Sequence, residues 1–287
     1  GKLVGDHADL HVVAIGQAAQ QEGQEQAGPA ATNRAGDEAA IHKLVEDFTT
    51  AFNRADANAM IPLFAEQARI TTSDGRIVEG REAIRDLILK DLREGVRDTG
   101  VRAGIIGEIG LSDPIHPTEA KVLEAACEAQ MSSGAALQVH PGRSPESLFD
   151  GVDRILATGV DPARLVMCHL DRTLTSPGEL ERLARTGCYL EFDLFGQEQS
   201  YYYWGDIDMP NDVIRLRHIR ALIEHGHLDR ILISHDICYR TRMSCFGGHG
   251  YGHIFENVVP LMRARGFSEA EIDAILVGNP RRLLTFS

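Results

Sequence analysis

The chain has 287 residues, 43% of them hydrophobic and 25% charged, with a formal net charge of −13. These proportions fit a globular protein with room for one barrel or two smaller domains. The acidic balance, without any basic cluster, excludes nucleic acid and anionic membranes as expected partners, and no apolar run approaches the ~20 residues that span a bilayer. Residues 1–36 are rich in Ala, Gln and Gly and read as a flexible leader, because so few large apolar side chains cannot offset the entropy of ordering.

From residue 37 the pattern turns amphipathic. Ile41, Leu44, Val45, Phe48 and Phe52 recur at helical spacing, and a second short helix covers 57–66. Residues 68–80 read as a hairpin turning at Asp74-Gly75, and 81–95 as a helix that Gly95 stops. The segment 37–85 resembles the opening of an NTF2-like (SnoaL-like) α+β domain, whose remaining strands do not follow. From about residue 86, strands at 103–109, 135–140, 164–169, 188–193 and 230–236 alternate with helices at 118–133, 145–158, 177–186, 210–226, 254–265 and 268–277. That alternation predicts a parallel α/β array with right-handed crossovers.

Four of the strand-like runs end in a side chain able to bind a metal. AGIIGEIG (103–110) carries Glu108, AALQVH (135–140) ends in His140, RLVMCH (164–169) in His169 and RILISHD (230–236) in Asp236. The carboxyl ends of parallel strands in a βα barrel converge on one mouth, which places two imidazoles and two carboxylates together. That donor set suits a catalytic zinc, which lowers the pKa of its water to about 7.

Residues from about 86 to 287 resemble the phosphotriesterase-related branch of the amidohydrolase superfamily. The resemblance rests on GVRDTGVRAGIIGEIG (95–110), VHPGR (139–143), CHLDRT (168–173), YLEFDLFG (189–196), ILISHDIC (231–238), GGHGYGHI (247–254) and NPRRLLTF (279–286). It implies a (β/α)8 TIM-type barrel of which this chain carries strands four to eight, an α/β fold preceded by the small α+β segment. It also implies two divalent metals, usually zinc, with Glu108 as the bridge. His140 and His169 would serve one ion. Asp236 would serve the other and shuttle the proton of the bridging hydroxide. The H-x-H pair that the first strand would supply has no counterpart, since His7 and His11 are spaced H-x-x-x-H, so a single ion is the expectation here.

Around this quartet, His235 should point to the opposite side of its strand from Asp236. His249 and His253 lie in a glycine-rich run and read as part of a substrate-facing loop. Arg172 would meet an anionic substrate group or pair with a nearby acid. Tyr203, in the run Tyr201 to Trp204, would wall the substrate pocket or cap exposed core. Asp193 would support a ligand from behind. Cys127, Cys168, Cys188, Cys238 and Cys245 form no C-x-x-C pair; buried reduced thiols at Cys168 and Cys238 point to a cytoplasmic setting.

The sequence therefore predicts a metal-dependent hydrolase of ester, lactone or amide bonds, acting on a small molecule through a metal-held hydroxide. The rival reading is a catalytically impaired fusion or fragment whose unpaired sheet edges lead to self-association.

Overall fold

The protein is described from a computed structural model, over residues 69–71, 76–96, 99–199, 202 and 207–285. The leader, the two front helices, the Asp74-Gly75 turn, and Tyr201, Tyr203 and Trp204 lie outside the described residues.

A short antiparallel pair, β1 (Arg69–Thr71) and β2 (Ile77–Glu79), leads into helix α1 (Arg81–Arg93). The parallel sheet follows. Its strands are β3 (Ile105–Gly110), β4 (Ala136–His140), β5 (Leu165–Met167), β6 (Tyr189–Phe192) and β7 (Ile231–Ile233), paired in that order. The intervening helices are α2 (Pro117–Ser133), α3 (Pro145–Ala157), α4 (Leu170–Thr173), α5 (Pro177–Ala184) and α6 (Asp212–Glu224). Several starts are written locally. Ser144 and Ser176 cap α3 and α5 by accepting from backbone N–H groups, with Pro145 and Pro177 in the first turn, and Asn211 caps α6.

The C-terminal part is less regular than a run of plain helices. A π-helical turn (Ile254–Val258) precedes α7 (Val259–Ala264), and a second (Ala274–Gly278) joins α8 (Glu269–Asp273) to α9 (Asn279–Leu284). Pro260 and Pro280 follow these turns closely. A proline ring crowds the carbonyl four residues back and offers no N–H, which widens the turn before it.

The sheet has two distinct faces. Leu137, Val139, Leu165, Met167, Leu190 and Phe192 point outward into one apolar core shared with the helices. Helix α1, which spans the expected boundary at residue 86, buries Ile84, Ile88 and Leu92 in that same core. On the inner face Ala136, Val166, Tyr189 and Leu232 form a separate cluster sealed by Leu283 of α9. Among the described residues no helix is long and apolar enough to cross a membrane.

Candidate metal centre

Strand alternation carries most of the inner face. Above Ala136, Val166, Tyr189 and Leu232, the next inward positions are Gln138, Cys168, Glu191 and Ser234, and above those His140, Asp193 and Asp236. Glu191 joins three strands in the middle layer, accepting from Gln138 Nε2 at 2.6 Å and from Ser234 Oγ at 3.2 Å. Burial pushes its carboxyl up to about 8, with the Asp193 charge adding to the shift.

Two of the candidate ligands break the alternation, and each does so through a specific backbone feature. On β3, Ile106 pairs with Leu137 while Ile109 pairs with Val139, so two residues of β3 oppose Gln138 alone. This bulge puts both Ile106 and Ile109 into the outer core and turns Glu108 inward. Gly107 makes the bulge feasible: its φ is +119°, and a Cβ there would collide with the Gln138 carbonyl. On β5, Cys168 already faces inward, so His169 would face the helices. His169 instead takes a left-handed backbone, φ 54°, and swings its ring to the inner side. Asp236 is also left-handed, φ 45°. These turns end β5 at Met167 and β7 at Ile233, short of the expected 169 and 236. Cys238 is consequently exposed, whereas Cys168 is buried as expected.

The result is a tight meeting of three side chains. Glu108 Oε1 lies 2.8 Å from His140 Nδ1, which lies 2.8 Å from His169 Nε2; His169 Nε2 is 3.2 Å from Glu108 Oε2. Cys168 Sγ approaches Glu108 Oε2 at 3.5 Å and joins Glu108 and His169 in a group compact enough for one ion. The sequence reading missed Cys168, though its position one residue before His169 on an alternating strand was the available signal.

A sequence profile of the phosphotriesterase family matches residues 66–284. The human protein named N-acetyltaurine hydrolase is 46% identical over 206 residues, covering 71% of this chain and 59% of that protein. The chain belongs to the phosphotriesterase family. It spans about three-fifths of the length of the curated relatives it matches. Among solved structures, the resiniferatoxin-binding protein from Rhodobacter sphaeroides superposes with a TM-score of 0.68 at 34% identity, over 71% of this chain and 57% of that one. The phosphotriesterase homology protein from Escherichia coli, with phosphate in its active site, gives 0.63 at 29% identity, over 71% and 67%. The sheet from β3 to β7 is thus part of a TIM-type barrel, and the family match begins at residue 66, within the segment that resembled an NTF2-like domain.

Within this phosphotriesterase-family site the donors fit a divalent cation. Ligands at 2.0–2.1 Å around a tetrahedral zinc stand roughly 3.3 Å apart, close to the separations seen here. Arg172 can only donate, and its Nη2 lies 3.0 Å from His140 Nε2. The neutral His140 ring therefore carries its proton on Nδ1, which faces Glu108 Oε1. A cation would take the place of that proton. The ring proton would then move to Nε2 and the Arg172 contact would open.

Electrostatics hold the rest in place. Burial alone would raise the Glu108 carboxyl, but hydrogen bonds from His140 and His169 hold it well below the usual range. Burial lowers His140 to about 4. Burial likewise opposes a charge on His169, yet the Asp193 carboxylate 2.8 Å from Nδ1 outweighs it and raises that imidazole. Asp193 also accepts from the His169 backbone N–H at 3.1 Å, so it backs the ring as expected.

The remaining candidates separate. Asp236 belongs to neither compact ligand group among the described residues, Glu108–Cys168–His169 or Cys168–Glu191–Asp193, and His140 adjoins the first through its contacts with Glu108 and His169. It sits at the rim, where desolvation raises its carboxyl against the opposing pull of His169. Arg172 is buried and bonds to His140, the Pro141 carbonyl and Thr173 Oγ1; it meets no carboxylate among the described residues. His235 faces outward and accepts from the Ile254 N–H at 3.2 Å. His253 is buried with Nε2 2.7 Å from Asp212 Oδ2 and Nδ1 3.1 Å from Asn257, so both nitrogens are engaged elsewhere. His249 stacks on His253 with centroids 4.2 Å apart. It is exposed in the wall of a cavity of about 610 Å³ that includes Phe195, Ile237, Tyr239 and Arg242.

Proposed function

We propose that the chain is a divalent-metal-dependent hydrolase of carboxylic amides, as its relatives named for N-acetyltaurine hydrolysis suggest. The observation that carries this reading is the convergence of Glu108 Oε1, His140 Nδ1 and His169 Nε2. Two imidazoles and a carboxylate suit zinc. When bound, the ion supplies Lewis acidity to a carbonyl oxygen and makes water acidic enough to attack near neutral pH.

The chain's own residues do the rest. Asp193 holds a proton on His169 Nδ1, so that Nε2, on the Glu108 side, is the nitrogen that would give up its proton to an ion. Asp236, at the rim, accepts the proton of the attacking water and returns it to the leaving nitrogen. Phe195, Tyr239 and Ile237, which is next to Asp236 in the chain, line an open cavity that would receive the substrate. Esters and lactones present the same carbonyl; the named relatives favour the amide.

The test is hydrolysis of N-acetyltaurine, a simple ester and a lactone by the full chain with added zinc, manganese or cobalt. Metal-dependent amide cleavage that Glu108→Ala or His140→Ala abolishes is the expected result. No turnover of any of the three substrates would overturn it.

One observation favours the rival reading of an impaired chain. Among the described residues β3 and β7 each pair on one side only, and unpaired edges recruit other strands. A stable oligomer that binds no metal and cleaves nothing would support it.

A further inference from the structure

Among the described residues, Arg242 is a cation in the cavity wall without a counter-ion. Its Nη1 donates to the Asp236 carbonyl at 2.7 Å and to Gln197 Oε1 at 3.2 Å, and its Nη2 donates to the Phe195 carbonyl at 3.0 Å. All three acceptors are neutral. Among the described residues no carboxylate lies within ion-pair distance of this guanidinium, whereas Arg215, also near Phe195, is paired to both Asp171 and Asp212. A guanidinium has five N–H groups. Three are used, which leaves the Nε–H and one Nη2–H, the edge that meets an oxyanion through two parallel hydrogen bonds.

The surroundings also fix the main chain that carries it. Gly250 N–H donates to the Arg242 carbonyl at 2.8 Å. A Cβ at Gly248 would collide with the Arg242 main chain, so the turn at 247–250 closes directly over it. The bond to the Asp236 carbonyl ties the cation to a candidate metal-site residue and sets a fixed spacing between the two. A net charge of −13 repels anions at long range, so an anionic substrate needs such a local, oriented cation.

We propose that Arg242 and the 247–250 turn form a subsite for the anionic end of the substrate, a sulfonate or carboxylate a few bonds from the scissile amide. This rests on the amide-hydrolase reading above and specifies the amine side of its substrate. A bidentate, charge-assisted contact makes the preference roughly ten- to a hundredfold over an uncharged tail of the same size. The contact forms on binding and is kept through the reaction, so its loss appears in KM rather than kcat.

Two measurements on the full chain test it. The first compares an N-acetyl amide ending in a sulfonate with one ending in a methyl group, in the parent, Arg242→Met and Arg242→Lys. Arg242→Met is expected to raise KM for the sulfonate substrate at least tenfold more than for the neutral one, with Arg242→Lys in between. Equal losses on both substrates would mean that Arg242 only staples the loops, and would overturn the proposal. The second titrates methanesulfonate against dimethyl sulfone by NMR and needs no turnover, so it reads the subsite even if the chain cleaves no amide. Saturable methanesulfonate binding that Arg242→Lys weakens is expected. Equal binding of the two probes, or binding of neither, would overturn the subsite.

Discussion

Glu108 and His140 face each other at 2.8 Å although plain alternation would put Glu108 on the opposite side of its strand. The bulge at Gly107 reconciles the two, because one extra residue exchanges the faces of everything that follows. The candidate metal centre therefore depends on a backbone irregularity as much as on the side chains that would hold an ion.

Gly107→Ala tests that dependence. The new Cβ meets the Gln138 carbonyl and the φ of +119° strains any L residue. A loss of about 1–3 kcal/mol is expected by denaturant titration, together with weaker divalent-ion uptake. Unchanged ion uptake would show that Glu108 does not need the bulge.

Asp193→Ala removes the carboxylate that lies 2.8 Å from His169 Nδ1 and accepts from the His169 backbone N–H. The ring then loses its fixed tautomer, and ion affinity is expected to fall roughly 10–100-fold by competition with a chelator. An affinity equal to the parent's would remove Asp193 from the account.

The sequence carried the array of strands and helices well, because period-2 and period-3.6 patterns survive in single residues such as Leu137, Val139, Leu148 and Ile155. Strand ends also named Glu108, His140 and His169, which the fold brings together, and alternation turned His140 inward and His235 outward. What it could not carry were the left-handed residues His169 and Asp236 and the bulge at Gly107, since each is a local backbone choice that only the tertiary site enforces. The lengths of β5 and β7, and with them the exposure of Cys238, were misjudged for that reason. Arg242 carried no signal: its role arises from Gln197, Phe195 and Asp236, which only folding brings to it.

Glu191 makes stability depend on pH. Its folded pKa is raised to about 8 by burial, so folding favours the protonated form. That contribution is complete below the ordinary glutamate range, near pH 4, and is lost as pH rises to about 8. Glu191→Gln mimics the protonated carboxyl, keeping an oxygen for Gln138 and offering an N–H to Ser234. The variant is expected to gain on the parent in thermal midpoint between pH 5 and pH 8. A constant difference across that range would mean that Glu191 is ionised when folded.

The central claim is that Glu108, His140 and His169 together hold a divalent ion, and elemental analysis of the purified full chain after zinc loading and desalting tests it most directly. Zinc is expected to stay with the parent and to be lost from Glu108→Ala, His140→Ala and His169→Ala variants that keep the parent's circular dichroism. Absence of zinc from the parent, or retention undiminished in those variants, would contradict it.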